Sequence, residues 1–107
     1  MPSYHKLVRD NIPSIIESNG KIAKTRILET KEYQKALQEK LVEETNEYLA
    51  NPTSLEELAD IQEVVLALVE SLGHESEDLE KIRQEKEILN GRFKKRIFLE
   101  SVEEKEE

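Results

Sequence analysis

The sequence predicts an all-α fold: an antiparallel helical hairpin core with additional short helices. Three observations predict it. Apolar residues recur at helical spacing through Tyr33, Leu37, Leu41 and Tyr48, and again densely from Leu55 to Val69. Between these stretches Asn51-Pro52 breaks the first helix, and so short a turn makes its two helices antiparallel neighbours. Finally, 107 residues without a cysteine make one domain, residues 1–107, with no disulfide framework, no thiolate metal site and no thiol nucleophile.

The elements follow in order. Asp10 or Asn11 can cap a short helix, with Pro13 in its first turn, running to about Ser18, where Asn19-Gly20 stops it. Residues 21–28 show little helical period and read as extended, with room for one short strand. Thr30 can cap a long helix ending near Ala50. The next helix starts at Thr53 or Ser54 and continues to about Leu72, where Gly73 ends it. Its apolar residues lie on almost every side, which predicts burial on more than one face and hence a subunit interface. A fourth helix from about Glu75 to Leu89 carries Leu79, Ile82, Lys86 and Leu89 on one line, and Gly91 terminates it. The tail Arg92-Phe93-Lys94-Lys95-Arg96-Ile97-Phe98-Leu99 is basic and apolar together, and residues 102–107 are expected to fray.

A net charge of −8 argues against a nucleic-acid partner, because neutralising phosphates requires a basic surface. It does not exclude a phosphate-bearing small substrate when a divalent cation mediates. Val64 to Val69 is too short to span a bilayer, and the first six residues contain no apolar signal region. These features predict no membrane partner and, with the missing cysteines, a cytoplasmic location.

The chemistry rests on Glu43-Glu44-x-x-Glu47 and Glu57-x-x-Asp60. At about 100° per residue, Leu37, Leu41, Glu44, Glu47 and Tyr48 share an arc of roughly 120°. Glu57, Asp60, Ile61, Val64 and Leu68 share an arc of roughly 100° on the next helix. In an antiparallel hairpin both acidic pairs stand at similar heights from the turn, and their i, i+3 spacing projects each pair together. Carboxylates converging on inward or border faces repel strongly unless a positive charge sits among them. An all-oxygen donor set favours a hard cation, Mg²⁺ first and Mn²⁺ second, whose chemistry with phosphate esters is charge neutralisation, orientation and water activation.

The pattern Glu43-Glu44-x-x-Glu47 followed by Glu57-x-x-Asp60 resembles the signature of the MazG-like, all-α nucleoside triphosphate pyrophosphohydrolases. The opening Tyr4-His5-Lys6-Leu7-Val8-Arg9-Asp10-Asn11-Ile12-Pro13 and the ending from Gly91 to Leu99 look like those of small phosphoribosyl-ATP pyrophosphohydrolase-like members. Together these blocks span nearly the whole chain, although Arg92 stands where the family ending often has a second glycine. The resemblance implies an oligomeric MazG-like bundle, a homodimer or homotetramer. It also implies Mg²⁺-dependent cleavage of a nucleotide between its α and β phosphates, giving a nucleoside monophosphate and pyrophosphate. By motif position Glu44, Glu47, Glu57 and Asp60 are then the metal ligands, while Glu43 and Glu63 orient the attacking water or support the ligands.

A polyphosphate also needs cationic partners, and the candidates are Lys6, Arg9, Lys86, Arg92, Lys95 and Arg96. Plainer roles compete. Glu57 can serve a capping box with Ser54, although Thr53 with Glu56 makes an equally good one. Lys6 and Arg9 can form surface ion pairs, Lys86 and Arg83 can pair along their own helix, and Lys94-Lys95-Arg96 can be a solvated face. Tyr33 and Tyr48 fit the core stripe, and His5 and His74 are too isolated to read as ligands. The expected purpose is clearing non-standard or excess nucleotides. Phosphoribosyl-ATP hydrolysis is the second expectation, and a non-catalytic helical oligomerisation module the third.

Overall fold

The computed structural model describes residues 5–106; Tyr4, at the head of the opening block, and Glu107, at the end of the tail, lie outside the described residues. The architecture is all-helical: α1 (Ile12–Ser18), α2 (Thr30–Ala50), α3 (Leu55–Ser71) and α4 (Ser76–Asn90). The chain divides into two compact units, Met1–Ser76 and Glu77–Glu107.

In the first unit α2 and α3 pack against each other as the hairpin. The turn between them is short because Asn51 closes α2, its N–H reaching the carbonyls of Glu47 and Tyr48, and its own carbonyl then accepts from Ser54 N–H. Ser54 caps α3: its hydroxyl accepts from the Glu57 N–H at 3.2 Å, satisfying one of the free donors of the first turn. At the other end of the hairpin the Gln34 side-chain amide donates to the Ser71 carbonyl at 2.9 Å. The start of α2 is thereby tied to the end of α3, which fixes the antiparallel register.

The core is small and lies along this seam. Leu37 is 2% exposed and Val64 is 7% exposed. Tyr33, Leu41, Tyr48, Ile61, Val65 and Leu68 are half-buried around them. Leu55, which falls roughly 180° around α3 from Val64, points away and stays exposed. α3 ends where the backbone turns left-handed at Gly73 (φ 83°), with His74 N–H bonded to Val69 O and Gly73 N–H to Glu70 O. This paired closure needs a residue that tolerates positive φ, and glycine does so without steric cost. α1 ends with the same pattern at Gly20.

Two expectations need correction. Residues 21–28 form no strand among the described residues, and Ile22 and Ile27 are exposed. A lone extended segment has no second edge to satisfy its backbone groups, and the described residues supply none. Thr30 is the first helical residue of α2, not its cap. Glu29 takes the cap position with extended backbone and no side-chain capping bond, and its carbonyl accepts the Tyr33 N–H at 2.8 Å.

In the second unit, α4 carries its own charge lattice. Arg83 donates to Glu80 through Nε and Nη2 and to Glu87 through Nη1, one turn on either side. Leu79, Ile82, Leu89, Phe93, Ile97, Phe98 and Leu99 of this unit are all exposed. Arg96 closes a turn with its N–H on Phe93 O, in left-handed backbone (φ 56°).

Candidate metal centre

The acids of the two motifs meet on the α2–α3 seam. Glu44 stands one turn beyond Leu41 on the inner face of α2 and is 7% exposed, the single buried charged residue among those described. It falls there because at about 100° per residue it lies roughly 20° around the helix from Leu37. Glu57 and Asp60 lie within roughly 40° of Val64 on α3, and both are half-buried.

The acids form two overlapping triads. Glu43, Glu44 and Glu47 each offer a carboxylate oxygen within 4.8 Å of the others, and so do Glu44, Glu57 and Asp60. Glu44 is common to both, so the four expected ligands arrive as two sets joined at one residue. Glu43, expected in a supporting place, stands in the first triad. Glu47, expected on the inward stripe, is exposed. It lies roughly 80° around α2 from Leu37, four residues from the turn, where α3 has only just begun. Glu63 is exposed and belongs to neither triad.

The electrostatics of the site are uneven. The neighbouring Glu44 carboxylate, more than burial or Glu57, pushes the Glu47 carboxyl above its usual range. Burial would raise Glu43 as well, but hydrogen bonds from Lys6 and Lys40 outweigh it and hold that carboxyl below its usual value. Lys40 bridges Glu43 and Glu44, with Nζ at 3.3 Å and 3.2 Å from their oxygens. Burial alone would lower the Lys40 ammonium, yet Glu44 and Glu43 together keep it raised. Despite these cations, Glu44 Oε2 and Glu57 Oε2 are buried and accept no hydrogen bond. Buried carboxylate oxygens are ordinarily satisfied, so these two unpartnered oxygens in one acidic cluster could hold a cation. The donor set, oxygen only, fits a hard divalent cation.

The opening segment brings two cations to these acids. Lys6 Nζ is 3.1 Å from Glu43 Oε1, and Arg9 Nη2 is 2.9 Å from Asp60 Oδ1. Both belong to the residues expected to bind substrate. The remaining candidates belong to the second unit. There Lys86 and Arg92 line a groove with Glu87, Phe93 and Lys94, and Arg92 Nε is 3.8 Å from Glu87 Oε1. Lys95 and Arg96 are exposed on the turn that follows.

Lys40 is the site residue that sequence reasoning missed. Its signal was present: a lysine three and four residues before Glu43 and Glu44 sits on the same helix face by construction. Glu57 also keeps its carboxylate out of the capping box, because the Ser54 N–H is already bonded to Asn51 O. Comparison of the chain with protein families, with curated proteins and with solved structures gives no match.

Proposed function

We propose that the protein is a nucleotide pyrophosphohydrolase in which Glu44, Glu47, Glu57 and Asp60 hold a divalent cation, Mg²⁺ first and Mn²⁺ second. The observation that carries this reading is the buried Glu44 carboxylate, shared by both triads, with Oε2 and the neighbouring Glu57 Oε2 lacking any partner. A bound Mg²⁺ supplies charge neutralisation on the polyphosphate and a more acidic water. The chain's own residues do the rest. Glu43, half-buried and held ionised by Lys6 and Lys40, is the residue we assign to accept a hydrogen bond from the attacking water. Arg9 and Lys6, each paired with an acid of the site, would turn to phosphate oxygens and stabilise the charge that develops on the leaving pyrophosphate.

The substrate class is nucleoside triphosphates, cleaved between the α and β phosphates, and the expected role is removal of non-standard or excess nucleotides in the cytoplasm. The exposed apolar residues of α4 and the tail support a homodimer or homotetramer built on the MazG-like plan. Phosphoribosyl-ATP is the second substrate to test, since it carries the same scissile bond.

A structural reading has one observation in its favour: Lys6, Lys40 and Arg9 already neutralise part of the acid cluster. In that reading the chain is a helical oligomerisation module and takes no cation. Product analysis by phosphorus NMR decides between them. Monophosphate plus pyrophosphate, formed with Mg²⁺ and not with EDTA, supports the pyrophosphohydrolase. Diphosphate plus phosphate, or no turnover of triphosphates or phosphoribosyl-ATP, contradicts it.

A further inference from the structure

Lys40 touches the most buried carboxylate of the site in a particular way. Its Nζ lies 3.2 Å from Glu44 Oε1 and 3.3 Å from Glu43 Oε2, and its side chain is only 15% exposed. The other Glu44 oxygen, Oε2, is buried and has no partner. One oxygen of Glu44 is therefore occupied by the protein, and one is left for a ligand. The contact is local, within one face of α2. Residues three and four apart on a helix face each other, and both acids are engaged by the same ammonium, so no loop has to be ordered to form it.

We infer that Lys40 is a positioning residue that keeps Glu44 to one coordinating oxygen and thereby sets the site's preference for Mg²⁺ over Ca²⁺. The assignment rests on the cation site proposed above. Mg²⁺ is small, demands near-octahedral geometry and takes carboxylates sparingly, keeping waters in its remaining positions. Ca²⁺ takes six to eight oxygens and readily accepts both oxygens of one carboxylate. With Oε1 held by Lys40, Glu44 offers the first ion what it needs and denies the second its extra oxygen. Glu43 contributes through the same ammonium, since Lys6 and Lys40 hold its two oxygens and keep it from filling the place.

The effect is separable from plain charge. Removing a lysine beside a cation site strengthens the binding of every divalent cation by relieving repulsion, and that changes both affinities in the same direction. Loss of the positioning contact changes their ratio. The readout is therefore the ratio of Ca²⁺ to Mg²⁺ affinity, measured by calorimetry on the full chain without nucleotide.

The experiment compares the wild type with Lys40→Gln, Lys40→Met and Lys40→Arg, with helicity checked by circular dichroism. Two neutral variants are used so that a folding failure in one leaves the other to decide. The expected result is a shift of the ratio toward Ca²⁺ by about tenfold in the neutral variants, the lower end of what outer partners of metal ligands are worth. Lys40→Arg is expected to keep the wild-type ratio. An unchanged ratio in a folded neutral variant, with both cations still bound, overturns the role of Lys40 and leaves the cation site standing. Failure of the wild type to bind either cation overturns the site and, with it, this assignment.

Discussion

Arg9 donates to Asp60 at 2.9 Å across 51 residues of sequence, so the segment before α1 is fastened to an acid of the α2–α3 seam. Both side chains are substantially exposed, 56% and 41%. A pair this open contributes only about 0.2–1 kcal/mol to stability. In the function proposed above, the pair would hold a guanidinium beside the cation.

Arg9→Ala should therefore separate stability from substrate binding. Thermal unfolding should shift by no more than the small value of an exposed pair. The KM for a nucleoside triphosphate should rise about tenfold, the loss expected for one charged hydrogen bond to phosphate. An unchanged KM would confine Arg9 to its pairing with Asp60.

Magnesium should stabilise the protein against heat. A ligand that binds only the folded state contributes about 2.7 kcal/mol at a concentration one hundred times its Kd. Glu44→Gln should abolish that gain, since it replaces the carboxylate shared by both triads with a neutral amide of the same shape. Equal Mg²⁺ stabilisation of wild type and mutant would contradict the ligand assignment.

Ser54→Ala tests whether the cap and the candidate ligand Glu57 are separate devices. Loss of the Ser54 hydroxyl removes the bond to Glu57 N–H and should cost about 1 kcal/mol of stability. Mg²⁺ affinity should change by less than about threefold, because the Glu57 carboxylate is not engaged by the cap. A collapse of Mg²⁺ affinity would mean that the cap sets the carboxylate's position.

Much of this hairpin was legible in the sequence, for physical reasons that individual residues make plain. Leu37, Glu44 and Tyr48 fall on one side of α2 by helical angle alone, and Asn51-Pro52 leaves too little chain for anything but an antiparallel return. Exposure within the acid cluster was less legible. Glu44 and Glu47 share a motif, yet only Glu44 is covered, because the partner helix begins four residues beyond the turn's start. The extended residues 21–28 carried β-branched and apolar residues but no partner strand, a condition that no local pattern reveals. Lys40 also carries a sequence signal, because a lysine three and four residues before two acids shares their helix face.

Leu37→Ala tests the core directly. The side chain is 2% exposed at the centre of the seam, and truncating a buried leucine costs about 2–5 kcal/mol through lost burial and the cavity left behind. In so small a core the lower melting temperature should be plain in a thermal scan. A shift as small as that of a surface substitution would place the core elsewhere.

The second unit makes a pH prediction. The Glu80 carboxyl is held below its usual range chiefly by its hydrogen bonds from Arg83. Its folded value lies below its unfolded one, so its contribution to stability is present above the unfolded value of about 4.3 and is lost as pH falls through the folded one. A carbon NMR titration should show the Glu80 midpoint moving up when Arg83→Ala removes the guanidinium. A midpoint that does not move would show the pairing to be absent in solution.

The most direct test of the central claim is pyrophosphate release from a panel of standard and damaged nucleoside triphosphates, with Mg²⁺ and with EDTA, for wild type and Glu44→Gln. The account predicts Mg²⁺-dependent release by the wild type that chelation and the mutation each remove. No release from any triphosphate by folded, Mg²⁺-loaded wild type, or equal release by Glu44→Gln, would contradict it.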